Sequence, residues 1–296
     1  MSTGDAAVVP GAQRLRRAVR ELSGVADVSW GAMIRDLGSG EVAAELDADV
    51  VQPIASVGKL LLLLETARRI EDGSLDAGAV LRRRPEDEVA DSGLWRHLTV
   101  PALTVEDLAV LVGAVSDNLA TNVLLRHIGL PAVQALGERL GLASTRLLDR
   151  VRDRRAVGSD PPTLALGSAD ELSGLVVGIA HGTVVSAGVG ARVRRWLAMG
   201  ADLSLVAAPL GLDPLARAGV DETDLGVALW HKTGTDEGVR ADVGVVTHQG
   251  RGLAYAVVAR WEPEGGDRRD AVLAGMHRVC GALLASLAGD EGGPVS

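Results

Sequence analysis

The chain has no phenylalanine, one tyrosine (Tyr255) and five tryptophans in 296 residues, so its core has to be built of Leu, Val and Ala. A single cysteine, Cys280, excludes an intramolecular disulfide. Set in an apolar helical stretch, it reads as a small core residue rather than a nucleophile. With that one cysteine and six histidines at unpaired spacings, no metal site is expected, and no pattern calls for any other cofactor. Positive charge is also short. The net charge of −9 argues against a nucleic-acid partner, because phosphate contacts need a clustered cationic surface. Arg82-Arg83-Arg84 is followed at once by Glu86, Asp87 and Glu88 and reads as a solvated loop. Apolar runs such as Leu60 to Leu64 are far too short to span a bilayer, so no membrane partner is expected. Met1 to Gln13 lacks a basic segment followed by an apolar one, which leads to the expectation of a soluble, cytoplasmic protein.

Lysine is the scarcest charge of all. Of thirty basic residues only Lys59 and Lys232 are lysines, and each falls in a short pattern whose chemistry needs an amine. These are Ser56-Val57-Gly58-Lys59 and His231-Lys232-Thr233-Gly234-Thr235. Arginine stays protonated at any working pH, whereas a desolvated lysine can lose its proton and act as a base.

What is present is ordinary for a globular protein: 47% apolar and 23% charged residues, enough chain for one large domain or two intimate ones. Residues 12–23 have helical periodicity. Residues 27–37 and 41–46 read as strands joined by a Gly38-Ser39-Gly40 turn. Helical patterns follow at 59–70, 104–115 (capped by Thr104), 118–128, 132–140, 169–180 and 191–199. Three strands at 227–235, 239–247 and 252–261 precede a closing helix at 270–287. Residues 149–168 are polar, aperiodic and long enough to suggest a functional loop. Residues 221–224, with two aspartates and a glutamate, read as a solvated loop. The expected fold is α/β. A mostly antiparallel sheet is assembled from both chain ends (1–58 and 216–296), an all-helical subdomain spans 59–215, and the active site lies between them.

Ser56 and Lys59 are one helical turn apart, on one face and within possible hydrogen-bond reach. A serine hydroxyl becomes a nucleophile when a base takes its proton, and a neutral lysine can be that base. Ser116-Asp117-Asn118 bridges two helices, and taken alone it is a capping turn. Lys232-Thr233-Gly234 sits on a strand, where Gly234 would let a ligand's backbone come close.

In this order and spacing the three motifs resemble the penicillin-recognising serine hydrolases, specifically the class A β-lactamase group, whose motif trio they match. The resemblance covers about Ser29 to Ala285. It extends to Ser92-Gly93-Leu94, to Asn122 four residues beyond the second motif, and to Thr145-Arg146-Leu147-Leu148-Asp149-Arg150 at the start of an omega loop. It implies a β-lactamase/transpeptidase-like fold, with Ser56 as acylated nucleophile and Lys59 as proton acceptor. Ser116 would pass a proton to the leaving atom, and Asn118 would hold the substrate amide. Lys232, Thr233 and Thr235 would bind a carboxylate on a small-molecule substrate. The amides of Ser56 and Thr235 would form the oxyanion hole. Arg240 could add a bidentate carboxylate contact or be a plain surface arginine.

One feature of the class is missing. Its omega loop carries a glutamate that activates the deacylating water; counting places Arg152 there, and no glutamate follows until Glu171. Asp153 is a possible stand-in, one residue off and one methylene shorter, and no asparagine lies within 149–168. Acylation should survive while release is slow, because a placed general base contributes ~10²–10⁴-fold. The leading reading is a serine hydrolase or acyl transferase that is a poor β-lactamase. The alternatives are a penicillin-binding protein of peptidase type and a non-catalytic binder of a carboxylate ligand. His231 could tune Lys232 or be structural. Trp95 and Trp230 could line the cleft or belong to the core.

Overall fold

The computed structural model describes residues 11–214 and 226–289; the acidic loop expected at 221–224 lies outside them. Five antiparallel strands form the main sheet: β1 (Ser29–Asp36), β2 (Val42–Leu46), β3 (Val227–Asp236), β4 (Val239–His248) and β5 (Arg251–Arg260). Their order is β2-β1-β5-β4-β3, so the N-terminal hairpin is stitched to the C-terminal strands through the β1–β5 pair, Ser29 facing Arg260 and Asp36 facing Leu253. The sheet is therefore built from both chain ends, as the pattern predicts.

The central strand β5 is buried on both faces, which is why 252–261 reads as nearly continuous apolar sequence. Tyr255, Val257 and Ala259 join a core beneath α1 (Gly11–Glu21) and α8 (Arg269–Ala288). Ala254, Ala256 and Val258 join the other core, shared with the helices of the middle segment. By length and hydropathy α8 could cross a bilayer, but its apolar stripe (Val272, Met276, Val279, Leu283) is buried against the sheet and α1. Cys280 is fully buried there, and burial pushes its thiol up to about 12.

The middle segment holds α2 (Lys59–Glu71), α3 (Val105–Val115), α4 (Asn118–Ile128), α5 (Leu130–Arg139), α6 (Ala169–His181) and α7 (Ala187–Ala198). Thr104, Ser168 and Ser186 cap α3, α6 and α7, each accepting a backbone N–H three residues on. α2 is buried on every side from Lys59 to Ala67 and runs through the centre of the helical layer. With phenylalanine absent, Leu60 to Leu64 supply that centre, and all five tryptophans are buried. Trp95 and Trp230, weighed as cleft residues, lie in the core. The basic cluster departs from a plain solvated loop: Arg82 ends a short strand paired with Ala102–Thr104, and Arg83 lies 5.9 Å over the Trp95 ring.

A second small sheet joins Gln52–Pro53, Ala165–Gly167 and Arg146–Leu147. Strands of two or three residues carry no readable period. They matter because they pinch together both ends of the loop that starts at Asp149 and anchor it beside Ser56.

Candidate active site

Ser56 lies in a one-turn 3-10 helix, Ala55–Gly58, that runs directly into α2. Ala55, just before it, has φ +46, a left-handed conformation that costs a non-glycine residue energy and is held by the surrounding packing. Lys59, on the next turn, is completely buried. Its amine donates to the Ser116 carbonyl at 2.7 Å, the Ser116 hydroxyl at 3.2 Å and Asn118 Oδ1 at 2.7 Å. The hydrogen-bond reach expected between Lys59 and Ser56 is not realised among the described residues: the amine is turned to the second motif instead.

That motif is both a cap and a functional turn. Ser116 closes α3 with φ +55, which swings its hydroxyl back toward α2. Asp117 does the structural work: one carboxylate oxygen caps α4 at Ala120, and the other accepts the amides of Leu94 and Trp95. Ser116 and Asn118, on either side of it, are left to face Lys59.

Lys232 approaches from β3 and donates to the Ser116 hydroxyl at 3.0 Å and to the Thr233 carbonyl at 2.7 Å. One serine hydroxyl therefore sits between two buried amines. Burial, followed by repulsion from Lys232, holds the Lys59 amine well below the ordinary lysine range, against the opposing pull of Asp117 and Asp91. Burial likewise pushes Lys232 down to about 8, opposed by Asp202 and Asp242.

Gly234 has a different reason to be glycine from the one its strand position suggests. The close approach comes from the chain itself. A Cβ there would overlap the Ile54 carbonyl oxygen and stand 3.0 and 3.1 Å from the amide nitrogens of Val57 and Ser56. β3 packs directly on the nucleophile turn, and no side chain fits between. Gly234→Ala is expected to push the turn and strand apart, costing about 1–3 kcal/mol of stability and most of the reactivity of Ser56. Thermal unfolding together with labelling of Ser56 by a serine-directed acylating reagent checks this.

Two adjoining cavities open onto Ser56. One, of about 480 Å³, is lined by Ser56, Ser116, Asn118, Thr233, Thr235 and Arg240, so part of each motif meets in it, while Lys59, Lys232 and Gly234 are not among its lining residues. Arg240 is a cleft residue and not a plain surface arginine. It lies 5.6 Å over the Trp261 ring and donates to the carbonyls of Asp236 and Val239. Arg269, at the start of α8, lines the same cavity and was not legible in the sequence, where it is one more arginine in a charged loop. The other cavity, about 630 Å³, is walled by Arg152, Asp153 and Arg155 on one side and by Thr235, Glu237 and Trp261 on the other.

The loop from Asp149 is organised around that aspartate. It accepts from Arg152 at 2.6 and 3.2 Å, from Arg155 at 2.7 Å and from the Arg150 amide at 2.8 Å. Against the cost of burial, these donors hold its carboxyl below the usual range. Asn122 clamps the loop from α4, exchanging hydrogen bonds with Val151 and donating to the Asp87 carbonyl. Arg152 is thus tied into the loop, with Asp160 a further 3.4 Å partner. Asp153 accepts the Ala90 amide at 2.7 Å. Glu171, the next glutamate, is spent on the amides of Ala143, Ser144 and Thr145.

A profile of the β-lactamase enzyme family matches residues 13–276. Over 185 residues the chain is 27% identical to a β-lactamase regulatory protein, BlaB, of Streptomyces cacaoi. Over 137 residues it is 33% identical to a β-lactamase of Streptomyces albus G. These stretches are 62% and 42% of this chain and 56% and 43% of the two relatives, so the chain spans about half the length of the curated relatives it matches. Its fold matches that of a β-lactamase from Sphaerobacter thermophilus DSM 20745 with a TM-score of 0.78 at 25% identity, over 92% of this chain and 96% of that one.

Proposed function

The chain belongs to the β-lactamase enzyme family, and from that membership we propose that it is a serine hydrolase acting through an acyl-Ser56 intermediate on a lactam, amide or ester that bears a carboxylate. The observation that carries the reading is the Ser116 hydroxyl held at 3.2 and 3.0 Å from two buried amines. Neutral Lys59 takes the Ser56 proton as Oγ bonds to the substrate carbonyl carbon. Ser116 delivers a proton to the departing nitrogen or oxygen as that bond breaks, and recovers one from its lysine neighbours. Asn118 Oδ1 is committed to Lys59, which leaves its amide NH₂ to hold the substrate carbonyl. Lys232, Thr233, Thr235 and Arg240 receive the carboxylate, and the Ser56 and Thr235 amides receive the oxyanion.

Release is slow in this reading. Arg152 stands where the deacylating glutamate is expected, Asp153 is held by Ala90, and Glu171 faces backbone amides. Intact mass followed over time with a reactive penicillin, with Ser56→Ala as control, tests it. A lasting adduct on the wild type alone supports the reading. An adduct that disappears as product accumulates overturns slow release, and no adduct overturns β-lactam acylation.

The pH dependence has a definite sign. Lys232, pushed down to about 8, carries its ammonium below that pH and loses it above. Capture of the carboxylate, and with it the second-order acylation rate, is therefore expected to fall as pH rises through about 8. A rate that keeps climbing to pH 10 would contradict a charged Lys232 as the carboxylate's partner.

A further inference from the structure

Across the sheet from Lys232 lies a buried polar group that the steps above do not use. His231 is 2% exposed, and its Nδ1 is 2.9 Å from Oδ1 of the fully buried Asp242. Tyr255 donates its hydroxyl to the same oxygen at 3.1 Å, and the Val206 amide donates to Oδ2 at 3.0 Å. The carboxylate oxygens of Asp242 are acceptors, so His231 donates from Nδ1. Nε2 is then the nitrogen that gains or loses a proton.

Nε2 lies beside Gly200, where a Cβ would stand 3.2 Å from it. Gly200 also lines a cavity of about 80 Å³ at the edge of the sheet, together with Ser116, Asp202, His231, Lys232 and Thr233. Its size and polar lining suit water. β3 is the edge strand, so the turn carrying Gly200 and Asp202 wraps round it and connects the His231 face to the Lys232 face.

The charges facing His231 are Lys232 from β3, Asp242 from β4 and Asp202 from the turn after α7. Tyr255 on β5 is a donor to Asp242, and Cys280 on α8 is a neutral thiol near it. Burial raises the Asp202 carboxyl, but Ser204, Thr233 and His231 outweigh that and keep it ionised. Two carboxylates thus serve Lys232 and His231, and the Lys59 amine lies beyond Ser116 as a further titratable group. Protonating His231 gives Lys232 a like-charged neighbour that competes for the same two anions.

We propose that His231 is a positioning residue for this active site, its proton occupancy coupled through Asp202 and water in the edge cavity to that of Lys232. The coupling matters for catalysis only if the acyl-Ser56 reading holds, but it is measurable without any substrate. Because Lys59 and Lys232 are the only lysines, ¹³Cε-lysine labelling gives two resonances, assigned with Lys59→Met. In the wild type the Lys232 resonance is expected to titrate in two steps, one of them coinciding with titration of the His231 ring in ¹⁵N-histidine spectra. His231→Asn keeps a donor toward Asp242 but cannot take up charge. It should abolish the step shared with the histidine ring and leave the other, a change that a purely structural histidine would not produce. A single-step Lys232 curve in the wild type, or a two-step curve that persists in His231→Asn, overturns the proposal. Should the variant fail to fold, the wild-type pair of titrations decides, because steps that do not coincide overturn it equally. A cleft that ignores penicillin would sink the acyl-enzyme reading and leave this test intact.

Discussion

Lys59→Met is expected to lower the rate of Ser56 acylation by about 10²–10⁴-fold, the usual contribution of a placed general base, while making the fold more stable at neutral pH. The two effects have one origin. The Lys59 amine is completely buried beside a second buried lysine and sits well below its ordinary range. The unfolded chain holds that proton up to the ordinary lysine value, near 10.5. Below the folded midpoint the native state therefore carries the full cost of a buried ammonium. Between that midpoint and 10.5 the cost shrinks by about 1.4 kcal/mol per pH unit, and above 10.5 it is gone. Methionine has a similar volume and no charge, so it removes this cost. It also leaves Asn118 Oδ1 and the Ser116 carbonyl short of a donor, a pH-independent loss of about 1–3 kcal/mol. The stability gain of Lys59→Met should accordingly be largest below the folded midpoint and decline as pH rises from there toward 10.5. Denaturant titrations of both proteins at several pH values check this. A difference that is flat with pH would mean that Lys59 is not desolvated as its burial implies.

The outline of this site is legible in the sequence because its parts are local. Ser56 and Lys59 are one turn apart, Ser116-Asp117-Asn118 is a capping turn, and Lys232 rides a strand whose period is plain. The helix at 118–128 and the strand beginning at Val227 are found where the pattern puts them. What the sequence hides is long-range or without period. The Lys59 amine turns to Ser116 and Asn118, 57 and 59 residues away, and no spacing rule reports that. Gly234 is constrained by the backbone of Ile54 to Val57, a contact made only when both chain ends share one sheet. Asp242 and Tyr255 look like a stray charge and a lone aromatic in strands, until pairing brings them beside His231. Arg240 and Arg269 cannot be told from the other arginines, because a cleft arginine and a surface arginine have the same local sequence. The strands at Gln52–Pro53 and Arg146–Leu147 are too short to carry a pattern, yet they set where the loop from Asp149 stands.

That loop gives the second large effect. Asp149→Ala is expected to destabilise the protein by about 2–4 kcal/mol, because removing one member of a buried ion pair leaves its partners uncompensated. The side chain is 9% exposed, whereas Arg152 and Arg155 are 26% and 20% exposed. Water can therefore relieve part of the loss, which places the cost toward the lower side of the range for fully buried pairs. The amides of Val151 and Ala90, bonded to Asn122 and Asp153, should then exchange with solvent at least tenfold faster, since both bonds depend on the loop keeping its shape. The same network bears on the missing base. Arg152→Glu would restore a carboxylate at the expected position, but beside Asp149 and Asp160, the two acids that now hold Arg152. Three carboxylates with Arg155 as their remaining close cation would repel, and the new one would turn toward solvent instead of fixing a water on the ester. Turnover of the acyl-enzyme by Arg152→Glu is therefore expected to stay within about threefold of wild type, far from the ~10²–10⁴ that a placed base supplies. Adding Asp149→Asn relieves one like charge and is expected to recover part of that factor. If the single Arg152→Glu change alone restored rapid turnover, the Asp149 network would not be what keeps a base out of this cleft.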